Sequence, residues 1–337
     1  MSLKKIIKFI NSLSINNIIG FIISIGSLIF LFHIYDINDL FDPLRAANYS
    51  CLLTAIFISI VNFFLRAIRW RTLFVLKKPK QFINVFRAMM QGYLFNTILP
   101  ARAGELVRVY RLSKDEAMSN FDILGTLLIE RVGDMIFLIL LMGGVFFLYP
   151  DFPYWLKLAG LIIITITSTI TIVLAILHFQ SHKLSPYILL LMNRFLPNRF
   201  FLTLKSSGKR FMASLSGLFK IKNISLFLFF TLILWVLEVF MAYYVASSFD
   251  LFIPLGNLLF LILVITVGTI IPSSPGYIGV YELFGITGLK LIGISGEEGL
   301  SFIITLHAIA ILVPSLIGSI SLIKGSFLKN KTIIKKI

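Results

Sequence analysis

The sequence predicts an all-α, polytopic integral membrane protein: about six full spans, plus re-entrant helical hairpins that form a degenerate inverted repeat. Three observations predict it. The 337 residues are 58% hydrophobic and only 14% charged, whereas a soluble chain is about a quarter charged. Six apolar stretches are long enough, or nearly so, to cross about 30 Å of hydrocarbon. One interruption also occurs twice. Thr97-Ile98-Leu99-Pro100-x-x-x-Gly104 is answered by Thr269-Ile270-Ile271-Pro272-x-x-x-Gly276.

In chain order, the basic N-terminus (Lys4, Lys5, Lys8) leads into an apolar run with no small-x-small cleavage site, so 16–34 is expected as a retained first span. Further spans are expected near 49–65, 123–148, 156–178, 224–247 and 300–323. Between the second and third lies a first re-entrant region, 82–112, whose apolar arm is 82–99. Between the fifth and sixth lies a second, 255–293, with arms 255–271 and 277–293. The uncharged turn between those arms favours a hairpin, but two ordinary spans would give the same parity. Segment 179–223 carries eight Lys and Arg among apolar residues. It reads as amphipathic helix on the cytoplasmic membrane surface or as a solvated loop. The whole, 1–337, is expected to be one membrane domain.

Orientation follows from Lys and Arg. With the N-terminus in the cytoplasm, 27 of the 31 fall on that side, while Asp36, Asp39, Asp42, Asp151, Asp250, Glu297 and Glu298 fall outside. Six crossings bring both termini into the cytoplasm. The net charge of +16 is then topogenic and suited to anionic headgroups, and a nucleic-acid partner is not required.

This topology makes the two interruptions face opposite ways, the arrangement that inverted-repeat transporters use to build a midplane site. Proline ends an apolar helix for want of a donor, and glycine reverses the backbone without steric cost. Pro100, Gly104, Pro272, Pro275, Gly276 and Gly279 are therefore the expected hinges.

The expected binding residues cluster around them. Asn96 precedes the first break. Arg102, Glu105, Arg108 and Arg111 follow at three-residue spacing, which predicts one oblique helical stripe. Glu130 and Asp134 share a helix face early in the third span, with Arg131 nearby. Charges at that depth are expected to be paired, here by Arg131 or by an arginine of the stripe. Glu238, in mid-span, is expected to be protonated or paired. Glu282 follows the second break as Glu105 follows the first, Ser273 and Ser274 are placed to satisfy freed backbone, and His307 reads as an interhelical hydrogen-bonding residue.

Enzyme signatures are missing. There is no Walker A, no Gly-x-Ser-x-Gly, no His or Cys pair at metal-ligand spacing, and a single cysteine, Cys51. No catalytic residue, cofactor or metal is expected. The acidic run Asp36-x-x-Asp39-x-x-Asp42 reads as caps and turns. The competing reading is the donor site of a polyprenyl-using membrane glycosyltransferase.

Asn96-x-x-Leu99-Pro100-x-Arg102-x-Gly104-Glu105-x-x-Arg108, Glu130-Arg131-x-x-Asp134 and Pro272-x-x-Pro275-Gly276-x-x-Gly279-x-x-Glu282 together resemble the flippase-like transmembrane region of lysylphosphatidylglycerol synthases, in its stand-alone form. The resemblance covers nearly the whole chain. It implies translocation of a phospholipid or polyprenyl-linked headgroup between leaflets of the cell membrane, or an accessory scaffold role in envelope lipid or glycan synthesis. The aminoacyl-transferase domain of the full synthases does not follow, so lysyl transfer is not implied. Envelope-synthesis enzymes and a second copy of the chain are the protein partners compatible with it.

Overall fold

The computed structural model describes residues 22–30, 33, 41–74, 78–100, 102–148, scattered positions in 154–169, 221–271 and 273–334. Every regular element among them is helical. Helical residues at 22–30 precede α1 (Phe41–Ala46) and α2 (Tyr49–Thr72). Asn48 caps α2, its side chain accepting from the Ser50 amide at 3.0 Å. Then come α3 (Phe82–Ile98), α4 (Gly104–Glu116) and α5 (Asn120–Leu148). After them follow α6 (Ile221–Ser247), α7 (Leu255–Gly268), a short 3₁₀ turn (Pro275–Tyr277), α8 (Val280–Leu291) and α9 (Glu297–Ile334).

The chain is a membrane protein. Within α2, α6 and α9, Tyr49–Thr72, Ile224–Ser247 and Glu297–Ile323 are long and apolar enough to cross a bilayer. They expose large apolar side chains such as Leu53, Phe57, Leu232, Leu312 and Leu316, as lipid-facing helices do. The 29-residue α5 has the length but carries Glu130, Arg131 and Asp134. Helix α2 runs past its expected end at 65, because Arg66 and Arg69 find carboxylate partners inside the protein. About half of the expected span 16–34, most of 156–178, and segment 179–220 lie outside the described residues.

Two compact units are present. The first is built from residues 1–66, 86–111 and 233–337, the second from 67–85 and 112–232. In the first, α7 packs on α8 and α8 on α9. Glycines make the close approach possible. A Cβ at Gly268 would meet the Phe284 ring at 2.2 Å, one at Gly285 would meet Ile303 at 2.6 Å, and one at Gly288 would meet Leu261 at 2.7 Å. Val245, Leu258, Leu261, Phe302, Ile303 and Leu306 fill the core between them. With 14 and 12 residues, α7 and α8 are about 21 and 18 Å long, each short of a full crossing.

Candidate functional site

The first break lies between α3 and α4. Helix α3 stops at Ile98, Leu99 and Pro100 bend away, and α4 starts at Gly104. The reversal is not made by the glycine. Arg102 takes the left-handed conformation, φ 54°, which is costly for a residue with a side chain. Gly104 serves close packing instead. A Cβ there would sit 2.0 Å from the Gly92 carbonyl oxygen and 2.5 Å from Asn96 Oδ1. The expected stripe is therefore corrected. Arg102 stands off the helix in the turn, and only Glu105, Arg108 and Arg111 belong to α4. Glu105 and Arg108 form a partly buried pair at 3.6 Å. Arg111 Nε donates to Gln91 Oε1 at 2.6 Å, and Gln91 donates to Ser321 Oγ at 2.9 Å, tying α4, α3 and α9 together.

The second break spans Thr269 to Gly279, with Pro272 outside the described residues. Here the glycines do reverse the chain, Gly276 at φ 72° and Gly279 at φ 88°, with Tyr277 also left-handed at 62°. Gly279 has a second role, since a Cβ would meet the Ser24 carbonyl oxygen at 2.5 Å. Ser274 satisfies freed backbone as expected. Its amide donates to Ser24 Oγ at 2.9 Å, and its hydroxyl donates to the Ile278 carbonyl at 3.2 Å. Ser273 does not, and its buried Oγ has no hydrogen-bond partner among the described residues. Asn96 Oδ1, at the first break, is in the same condition.

The two breaks meet. Arg102 Nη2 donates to the Thr269 carbonyl at 2.9 Å, and the Arg102 guanidinium lies over the Tyr277 ring, 5.3 Å from its centroid. A Cβ on Gly276 would approach the Thr97 Cα to 3.9 Å. Two elements 172 positions apart in sequence, alike in pattern, are neighbours in space. Arg102 remains exposed, with guanidinium donors beyond the one Thr269 accepts.

Behind the second break is a buried polar group. Glu282 Oε2 accepts the Gly279 amide at 2.7 Å, which caps α8. Its Oε1 is 2.5 Å from His307 Nδ1, and His307 Nε2 donates to the Gly276 carbonyl at 2.8 Å. The Tyr281 ring stacks on His307, with centroids 4.0 Å apart. Glu282 and Glu105 thus share a place, the first turn after a break, but not a partner. Glu238 is paired, as expected of a carboxylate in mid-span, and its partner is Arg66. Asn62 accepts from Arg66 Nε at 2.7 Å and donates to the Leu234 carbonyl at 3.1 Å.

In the second unit, Arg69 is a cation on Glu130 and Asp134, and it is neither Arg131 nor a member of the expected stripe. Arg69 grips Asp134 through both terminal nitrogens (2.5 and 3.1 Å), and reaches Glu130 at 3.3 Å and Thr231 Oγ1 at 3.0 Å. Its guanidinium also lies over Phe227. Only 2% of the Arg69 side chain and 7% of that of Glu130 are exposed, against 31% for Asp134, so the cluster has a buried cation and one partly exposed carboxylate. Arg131 is half-buried on the same helix. In the sequence, Arg66 and Arg69 belong to a basic run ending an apolar span, which reads as topogenic. Their three-residue spacing inside a helix was the available signal. The acidic pair Asp36 and Asp39 lies outside the described residues.

The description "Lysylphosphatidylglycerol synthase TM region" belongs to a family that matches residues 17–318. The chain is also 23% identical over 271 residues to a "UPF0104 membrane protein" of Methanothermobacter thermautotrophicus, which covers 77% of this chain and 80% of that protein.

Proposed function

The chain belongs to the family of the lysylphosphatidylglycerol synthase transmembrane region, and on that premise we propose that it moves a phospholipid or polyprenyl-linked headgroup between the leaflets of the cell membrane. One observation carries the reading: two broken helices of matching pattern meet at Arg102. Irregular backbone at membrane depth is tolerated only when buried in protein or lining a wet cavity. Both re-entrant arms of the second device are too short to cross alone, which suits a hairpin entering and leaving on one side.

The chemistry matches an anionic head. Arg102 presents a planar fork able to bind phosphate through two donors at once. Ser273 and Asn96 add a buried, unpartnered oxygen at each break, and such groups cost stability unless a ligand or water meets them. The Glu105–Arg108 pair beside the first break holds a second guanidinium in place without leaving a bare charge. In this reading both termini are cytoplasmic, the domain is 1–337, and the cargo is a membrane lipid rather than a soluble substrate.

The test is reconstitution into proteoliposomes of anionic phospholipid with a fluorescent headgroup label. Protein-dependent access of an impermeant quencher to inner-leaflet label supports the proposal. Access no faster than in protein-free vesicles, across phospholipid and polyprenyl phosphate probes, removes it.

A further inference from the structure

The arrangement around His307 requires a proton that neither break explains. The Gly276 carbonyl can only accept, so the Nε2 that meets it at 2.8 Å carries a hydrogen. On the other side, Nδ1 and Glu282 Oε1 approach to 2.5 Å. Two lone pairs cannot share that distance, so one more hydrogen lies between them. Whether it sits on nitrogen or oxygen, the pair as a unit holds one proton beyond neutral imidazole plus carboxylate. Both groups are buried, His307 at 4% and Glu282 at 8% exposure.

We propose that Glu282 and His307 form a proton-binding site that latches the second helix break, closed when the proton is bound and released when it leaves. The latch has three points. Glu282 holds the Gly279 amide, the bound proton joins Glu282 to His307, and His307 holds the Gly276 carbonyl. It therefore clamps both left-handed glycines of the break to α9. On deprotonation, the hydrogen goes to water and a neutral imidazole with one N–H remains. If Nε2 keeps it, Nδ1 turns a lone pair toward the carboxylate. If Nδ1 keeps it, Nε2 turns a lone pair toward the Gly276 carbonyl. Either tautomer sets two acceptors face to face, and one side of the clamp lets go.

The surrounding charges suit an internal proton site. From α8 come Glu282 itself and Tyr281, whose ring stacks on the imidazole. From α6 comes Glu238, within electrostatic reach of Tyr281 and already neutralised by Arg66 of α2. Helix α7 contributes no titratable side chain. Arg102 reaches the same break through Tyr277 and Thr269. For transport, which rests on the flippase reading above, the consequence is that a proton is the coupled ion.

The test reads the latch without any cargo, so its outcome is separate from that of lipid transport. A single cysteine replaces Ser273 in a Cys51→Ser background, and its rate of modification by a small maleimide is followed from acid to alkaline pH. Each rate is divided by that of the same thiol in the unfolded protein. With His307 and Glu282 intact, the rate is expected to rise about ten-fold with pH, the factor for losing one charge-assisted hydrogen bond. Glu282→Gln donates to Nδ1 of the neutral imidazole and still accepts the Gly279 amide, so it keeps the latch shut as pH rises. His307→Gln cannot change charge. Both are expected to lose the rise with pH. A flat profile in the intact protein, or a rise that survives in either glutamine variant, overturns the proposal.

Discussion

Arg102 and Tyr277 are both held in the left-handed backbone region, one in each helix break, and the guanidinium of the first lies over the ring of the second. Each conformation costs on the order of 1–2 kcal/mol for a residue with a Cβ. Such strain persists only where the surroundings over-determine it, as at binding sites. Each strained residue is the other's support, so the two breaks are one structural unit.

The two glycines that match in the repeated pattern are expected to fail differently. Gly104→Ala drives a Cβ against the Gly92 carbonyl at 2.0 Å, an overpacking against backbone that costs about 1–3 kcal/mol or more. Gly276→Ala meets nothing nearer than 3.5 Å, and its cost is conformational alone, about 1–2 kcal/mol. Gly276→Asn is expected to recover part of that, since asparagine tolerates the left-handed region. Thermal unfolding in detergent compares all three, and equal losses at both sites would contradict the division of roles.

Removing Arg69 is expected to do more harm than removing Arg66. Arg69→Gln leaves Glu130 and Asp134 without their buried cation, a loss of about 3–5 kcal/mol. Arg66→Gln strands a single carboxylate, Glu238, rather than two, in a pair whose side chains are 25% and 28% exposed. Yield of monodisperse protein after purification reads the difference. A well-behaved Arg69→Gln protein would show that the cluster is dispensable for folding.

Glu116 gives stability a pH dependence at the acid end. Burial pushes its carboxyl up, but hydrogen bonds from Asn84 and the Lys80 and Gln81 amides, with the Lys80 charge, outweigh burial and hold it below the ordinary value of 4.5. These bonds join the end of α4 to the start of α3. A lowered folded-state value means that its contribution is fully present above the unfolded value and is lost as pH falls through the folded one. Glu116→Gln is therefore expected to melt lower than the native chain at neutral pH, with the gap closing as pH drops below 4.5. A gap independent of pH would deny the carboxylate this role.

Topology is open to cysteine labelling. The Asn48 amide donates to the Ser248 carbonyl at 2.9 Å, and a cavity of about 490 Å³ gathers Asp42, Asp250, Glu297 and Glu298. These four acidic residues, expected on the outer side, thus share one end of the first unit. Cysteines replacing Asn48 and Asp250 are expected to react with an impermeant reagent from outside, and one replacing Lys78 from inside. Lys78 and Asp250 labelling from the same side would undo the inverted arrangement.

Much of this was legible in the sequence, because bilayer physics writes itself into long apolar runs and into prolines that stop them. The membrane class and the two breaks follow from such patterns. The partners did not. Which arginine meets Asp134, or which histidine meets Glu282, depends on packing between helices far apart in the chain. No local spacing encodes that. Arg102 reads as part of a helical stripe because three-residue spacing reads as helix, and the turn that displaces it is visible only in its backbone. Gly104 and Gly276 read alike for the converse reason: one residue type answers both to tight packing and to a left-handed φ.

Lipid movement by an Arg102→Lys variant, in proteoliposomes with headgroup-labelled anionic phospholipid, is the most direct measurement of the central claim. Lysine keeps the charge but lacks the planar fork, and losing a charge-assisted hydrogen bond of that kind costs about 1.5–3 kcal/mol, or roughly ten- to a hundred-fold. The account predicts that native protein moves the label, and that Arg102→Lys, folded and inserted normally, moves it at least ten-fold more slowly. Native-rate movement by the lysine variant would contradict it, reducing the meeting point of the two breaks to a structural joint.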